Sequence, residues 1–137
     1  FTFSGKNILK KSKYALSDFI LSAVKNGLIS VNGDPQTQRS YLHQDSMSEW
    51  ILRATTAVPD SILQIGSNEA VTILQLAEYI SQKTGAEVEF YKEPSGGDIY
   101  IPDNTDTRIK MGVEEGKNWK EAVLEMIAEA RKIYNVG

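Results

Sequence analysis

The chain has 137 residues, 41% hydrophobic and 24% charged, with a net charge of −3 and no cysteine. That length holds one domain with a core of its own, and its interspersed charges argue against a nucleic-acid surface or a polybasic membrane patch. Without thiols there are no disulfides or thiolate metal sites, and no apolar run reaches the ~18 residues a membrane helix needs; a cytoplasmic location fits this composition.

In chain order, Phe1 to Phe3 reads as a short strand closed by Ser4-Gly5. Lys6, Lys10, Lys11 and Lys13 form a basic cluster, either a solvated loop or a phosphate-facing one. Tyr14 to Asn26 reads as a helix: Phe19, Ile20, Ala23 and Val24 share a face, and Gly27 stands where a C-terminal cap glycine belongs. The apolar run Leu28 to Val31 leads into an Asn32-Gly33-Asp34-Pro35 turn. Arg39 follows in a second strand-like run. An arginine on a strand beside a glycine turn is a candidate fork for a phosphate, because its guanidinium donates two parallel hydrogen bonds. The plainer reading is a surface arginine paired with Asp34 or Asp45.

Ser46-x-x-Glu49 reads as a capping box opening a helix with Met47, Trp50, Ile51 and Ala54 as its apolar stripe, and Val58-Pro59-Asp60 as its end. Ile62 to Ile65 reads as a strand. Thr72-x-x-Gln75 is a second capping box, followed by a helix buried through Ile73, Leu76, Ala77 and Ile80 and stopped by Gly85. Val88 to Tyr91 is strand-like, and Glu93 to Asp98 is a loop by its Pro and Gly content. Asp103 to Gly112 gives a short helix. Asn118-x-x-Glu121 opens a last helix, Trp119 to Tyr134, whose stripe is Ala122, Val123, Met126, Ile127, Ala130 and Ile133.

Two blocks carry a family resemblance. Gly33-Asp34 followed by Arg39-Ser40-Tyr41-Leu42-His43 is one. Gln64-Ile65-Gly66-Ser67-Asn68, running on to Thr72-Ile73-Leu74-Gln75-Leu76-Ala77, is the other. Together they resemble the extended short-chain dehydrogenases, the NAD-dependent nucleotide-sugar epimerases and dehydratases. The resemblance implies a mixed α/β fold of about four main helices and several short strands: the C-terminal, substrate-binding portion of such an enzyme, lacking most of the Rossmann half. On this reading residues 1–137 are a single substrate-binding domain cut from a longer enzyme, and residues 1–5 and 62–66 are strands of the absent sheet. The parent would use NAD(P) to oxidise a sugar hydroxyl and return the hydride, and would possibly be a homodimer. The ligand implied is a nucleotide-diphosphate sugar, with Arg39 on its diphosphate. Asn32 and Asp98 would flank base and ribose, and Tyr14 is a base contact or else a core tyrosine. Ser95 stands where the family has an arginine.

Several features carry no chemistry of their own. No Gly-x-Gly-x-x-Gly cradles a dinucleotide pyrophosphate, so no cofactor is expected for this stretch alone. Tyr79-x-x-x-Lys83 copies the family's catalytic spacing, but it falls in the Leu-Ala helix and merely shares a helix face. His43 is the only histidine, too few for an imidazole metal cluster. Glu114 and Glu115 read as solvated surface. The rival to an enzyme portion is a stand-alone binding module for nucleotide sugars without chemistry, and a third possibility is a structural or interaction domain.

Overall fold

The computed structural model describes residues 1–9, 14–57 and 61–136. Lys10, Lys11 and Lys13 of the basic cluster, and the Val58-Pro59-Asp60 terminator, lie outside the described residues. The element order is β1 (Thr2–Ser4), α1 (Ala15–Asn26), β2 (Leu28–Val31), β3 (Gln38–Arg39), β4 (Tyr41–His43), α2 (Gln44–Ala57), β5 (Val71–Thr72), α3 (Ile73–Thr84), β6 (Glu87–Phe90), β7 (Ile99–Tyr100), α4 (Thr105–Met111) and α5 (Trp119–Tyr134). This is the expected mixed α/β chain, with one short helix beside four longer ones.

The strands form three small sheets. β1 pairs with β4 and β2 with β6, both in parallel, while β3 lies between antiparallel β5 and parallel β7. Parallel pairing needs long crossovers, and the helices supply them. Thus α1 and α3 pack on β2, and α1 also packs on α5. The main core joins Leu16, Ile20 and Ala23 of α1 to Leu76 and Ile80 of α3 and to Val123, Met126 and Ala130 of α5. Full burial of side chains the size of Ile20 or Leu76 is worth about 1.5–3 kcal/mol each. Burial of this amphipathic face, more than propensity, fixes the three helices. A second core holds Leu42, Trp50, Met111 and Val113.

Both later capping boxes form in full: Thr72 with Gln75, and Asn118 with Glu121. Gly27, Gly85 and Gly112 end α1, α3 and α4 in the left-handed conformation that favours glycine.

Four expectations need correction. α2 begins at Gln44, two residues before Ser46, so the first capping box does not form; the Ser46 hydroxyl instead accepts the Gly116 N–H at 3.1 Å. Ile51 is 47% exposed and leaves the stripe, whereas Trp50 is fully buried and donates its indole N–H to the Glu114 carbonyl. Ile62 to Ile65 is not a strand within this chain. Its burial alternates, with Leu63 and Ile65 against the second core and Ile62 94% exposed. That is a strand's period of two, but the Gln64 N–H goes to the Thr107 hydroxyl at 2.8 Å and not to a ladder. Finally, Glu115 is no bystander: its carboxylate accepts the Asn68 N–H and the Asn104 amide, tying the loop after Gly66 to the start of α4.

Candidate functional site

The β5–β3–β7 sheet is the platform of the site. Register places Arg39 opposite Val71 on one side and Tyr100 on the other. Partners in register project to the same face of a sheet, so Arg39 and Tyr100 share one. The Tyr100 ring stacks on Phe1 with centroids 5.2 Å apart.

The turn before Arg39 is closed by its own backbone. Thr37 N–H donates to the Asp34 carbonyl at 3.1 Å. Leu74 N–H bonds the Pro35 carbonyl and Ile73 N–H the Thr37 carbonyl, at 2.9 and 3.0 Å, so the turn is sewn to the start of α3. The Asp34 carboxylate also accepts the Gln36 N–H at 2.8 Å, the local Asx geometry expected of this residue.

Across from the turn lies the loop Glu93 to Asp98, exposed throughout. Asp34 reaches it with its other oxygen, accepting Ser95 N–H at 2.9 Å, Ser95 O–H at 2.6 Å and Gly97 N–H at 2.9 Å. The Gln36 amide oxygen accepts Gly96 N–H at 2.9 Å. These hydrogen bonds, with Ser95 the largest contribution, hold the Asp34 carboxyl down at about 2, against an ordinary 3.8. Gly97 sits at φ +55°, so close to the turn that a Cβ there would lie 2.3 Å from the Thr37 nitrogen. Here a glycine is obligatory on two grounds, conformation and contact.

The latch delivers Asp98 to Arg39. Gln38 N–H donates to the Asp98 carbonyl at 2.8 Å. Arg39 Nη2 donates to both Asp98 carboxylate oxygens at 3.1 and 3.0 Å, and Nη1 to the Gln38 and Asp98 carbonyls at 2.8 and 3.3 Å. The guanidinium lowers the Asp98 pKa, chiefly through its hydrogen bonds. The Arg39 side chain is 28% exposed and that of Asp98 71%. A fork is therefore fixed in orientation, while its carboxylate partner faces solvent. Next along the chain, burial pushes the Tyr41 hydroxyl up to about 12, against the opposing pull of Arg39.

Of the predicted site residues, the structure brings Arg39 and Asp98 into direct contact. Arg39's acidic partner is Asp98, not the Asp34 or Asp45 that the sequence suggested. Asn32 lines a separate cleft of about 420 Å³, together with Gly33, Ser30, Asp18, Phe19 and Ser22. Tyr14 is 52% exposed and N-caps α1 through its backbone; its neighbour Ala15, not Tyr14, lines that cleft. The core-tyrosine alternative is thus excluded. Asp34, Gln36 and Gly97 escaped notice in the sequence. Their partners lie about sixty positions away, and the only local signal was the pairing of an Asx turn with a later Gly-Gly.

Two other features lie apart from this platform. His43 is buried; its Nδ1 accepts the Asp45 N–H at 3.2 Å, leaving Nε2 to donate to Glu125 at 3.0 Å. Tyr79 packs edge-on to Trp119, with the Lys83 ammonium 5.3 Å from its ring centre, so the Tyr-x-x-x-Lys spacing is a surface cation–π pair.

No protein-family model matches the chain, and no curated protein sequence matches it. Solved structures do. The UDP-glucose 4-epimerase of Thermotoga maritima, determined with UDP-glucose, aligns at TM-score 0.84 and 22% identity over 96% of this chain and 44% of its own. The UDP-glucuronic acid 4-epimerase of Bacillus cereus, determined with UDP-glucuronic acid and NAD, aligns at 0.81 and 16% identity, over 98% and 44%. An NAD-dependent NDP-hexosamine 5,6-dehydratase of tunicamycin biosynthesis aligns at 0.81 and 13% identity, over 94% and 42%. The fold is therefore that of the C-terminal part of extended short-chain dehydrogenase epimerases and dehydratases, and the chain spans less than half the length of these relatives.

Proposed function

We propose that this chain is the nucleotide-diphosphate-sugar binding portion of an NAD(P)-dependent sugar epimerase or dehydratase. The observation that carries the reading is the Arg39 fork, set on a sheet face by a latched loop, within a fold whose relatives were determined with UDP-sugars. A diphosphate approaching Arg39 meets the exposed Asp98 carboxylate first. An exposed ion pair is worth about 0–1 kcal/mol, whereas hydrogen bonds to a charged group contribute about 1.5–3 kcal/mol. Exchange of Asp98 for phosphate oxygens is thus favourable, and the carbonyls of Gln38 and Asp98 keep the guanidinium aimed while it happens. The released Asp98 carboxylate is then free to accept a hydroxyl. The cleft at Asn32 and Gly33, walled by Phe19, has the flat apolar side and polar rim that suit a nucleobase.

The chain's own residues do not fit the dinucleotide. The strand-to-helix steps at His43–Gln44 and Thr72–Ile73 carry no glycine, and Gly5 after β1 stands alone. Among the described residues, no glycine-rich turn opens a helix toward a pyrophosphate. Hydride transfer therefore belongs to other residues, and this chain's part is to bind and orient the sugar nucleotide.

Calorimetric titration of the chain tests the reading: UDP-glucose binds and NAD⁺ does not. Low-micromolar NAD⁺ binding, or UDP-glucose binding no tighter than that of glucose, would overturn it.

A further inference from the structure

We infer that Asp34 is a positioning residue: it sets the orientation of the Arg39 fork through the 93–98 loop, an inference that rests on Arg39 being the diphosphate group. Residues 91–100 are all exposed, so the loop has no apolar anchor and polar contacts order it. Three successive amides, those of Ser95, Gly96 and Gly97, turn toward the 34–37 turn. Successive N–H groups converging in this way form an anion-binding nest, and here the anion is internal: the Asp34 carboxylate, with the Gln36 amide oxygen beside it.

The turn itself does not need that carboxylate. Its backbone is closed by Thr37 N–H on the Asp34 carbonyl and sewn to α3 through Pro35 and Thr37. What the carboxylate holds is the loop, and through the loop Asp98. From the latch at Gly97 the next residue is Asp98, whose carbonyl takes Gln38 N–H at 2.8 Å and whose carboxylate takes Arg39 Nη2 at 3.0 Å. Each link is one residue or one hydrogen bond long. When the latch opens, Asp98 is released and Arg39 loses both carboxylate contacts and one of its two carbonyl contacts.

The Arg39 Nε–H order parameter in solution is the direct readout, measured for the native chain, Asp34→Asn, Asp34→Ala and Ser95→Ala, beside UDP-glucose dissociation constants. The inference predicts a rigid native Arg39 that becomes flexible in Asp34→Ala, falling below about 0.6, with Asp34→Asn intermediate and Ser95→Ala mildest. UDP-glucose binding weakens about fivefold or more in Asp34→Ala, on the scale of one hydrogen bond. In an Arg39→Lys background the same change adds less than about twofold, because Asp34 acts only through Arg39. An Arg39 order parameter unchanged in Asp34→Ala, or losses that add in the double variant, would overturn the positioning role. A native chain that binds no UDP-glucose would instead overturn the diphosphate reading, and the order parameter would still decide the role of Asp34.

Discussion

The α1–α3–α5 core and the Arg39 platform are built by opposite means. In the core, Ile20, Leu76, Ile80 and Met126 are wholly buried, and their packing is apolar and redundant. On the platform, the 93–98 loop buries nothing, and its order comes from a few directed hydrogen bonds gathered on one carboxylate. Stability and site geometry are thereby separated. The core tolerates changes of detail at the site, and the site can be retuned by one residue without unfolding the chain. Packing energy is non-directional and roughly proportional to area, whereas a phosphate fork needs direction, which hydrogen bonds supply.

The largest expected effect lies in the core. Leu76→Ala should lower unfolding free energy by about 2–5 kcal/mol, read from chemical denaturation, and leave the UDP-glucose affinity of the remaining folded protein unchanged. An affinity loss matching the stability loss would break the separation. Next comes Gly97→Ala. Its left-handed φ and the Thr37 backbone force the loop to move, at a local cost of about 1–3 kcal/mol. Faster amide exchange at residues 95–98, with the α3 and α5 amides still protected, is the expected pattern; uniform loss of protection would show that loop and core unfold as one.

The smallest effect is in acid. The Asp34 carboxyl is depressed to about 2 in the folded chain, from 3.8. A depressed folded pKa gives a contribution that is complete above the ordinary value and is lost as pH falls through the lower one. The latch should therefore stay closed at pH 3.8 and open only as pH approaches 2, seen as Asp34 carboxyl titration together with exchange at Gly97. Opening of the loop at the ordinary carboxylate pKa would contradict the hydrogen-bond geometry.

The same division decides what could be read in advance. Helices α3 and α5 were legible because capping boxes, apolar stripes and terminal glycines are local and periodic, and Arg39 was legible from its place after a glycine turn. The latch was not. Asp34 to Ser95 spans 61 positions, and Gly97 to Asp34 spans 63, so only a folded chain brings them together. α2 misled because Ser46 has a better partner in Gly116, 70 positions on. Ile62 to Ile65 misled because alternation alone marks an extended segment, while a strand also needs a neighbour with free backbone groups.

The most direct measurement of the central claim is the UDP-glucose dissociation constant of Arg39→Lys beside its melting temperature. Lysine keeps the charge but loses the planar fork. The expected result is a loss of about 2 kcal/mol in binding, the scale of a hydrogen bond to a charged group, with the melting temperature unchanged because only an exposed ion pair is lost. Undiminished UDP-glucose affinity in Arg39→Lys would contradict the account and return Arg39 to the surface as an ordinary partner of Asp98.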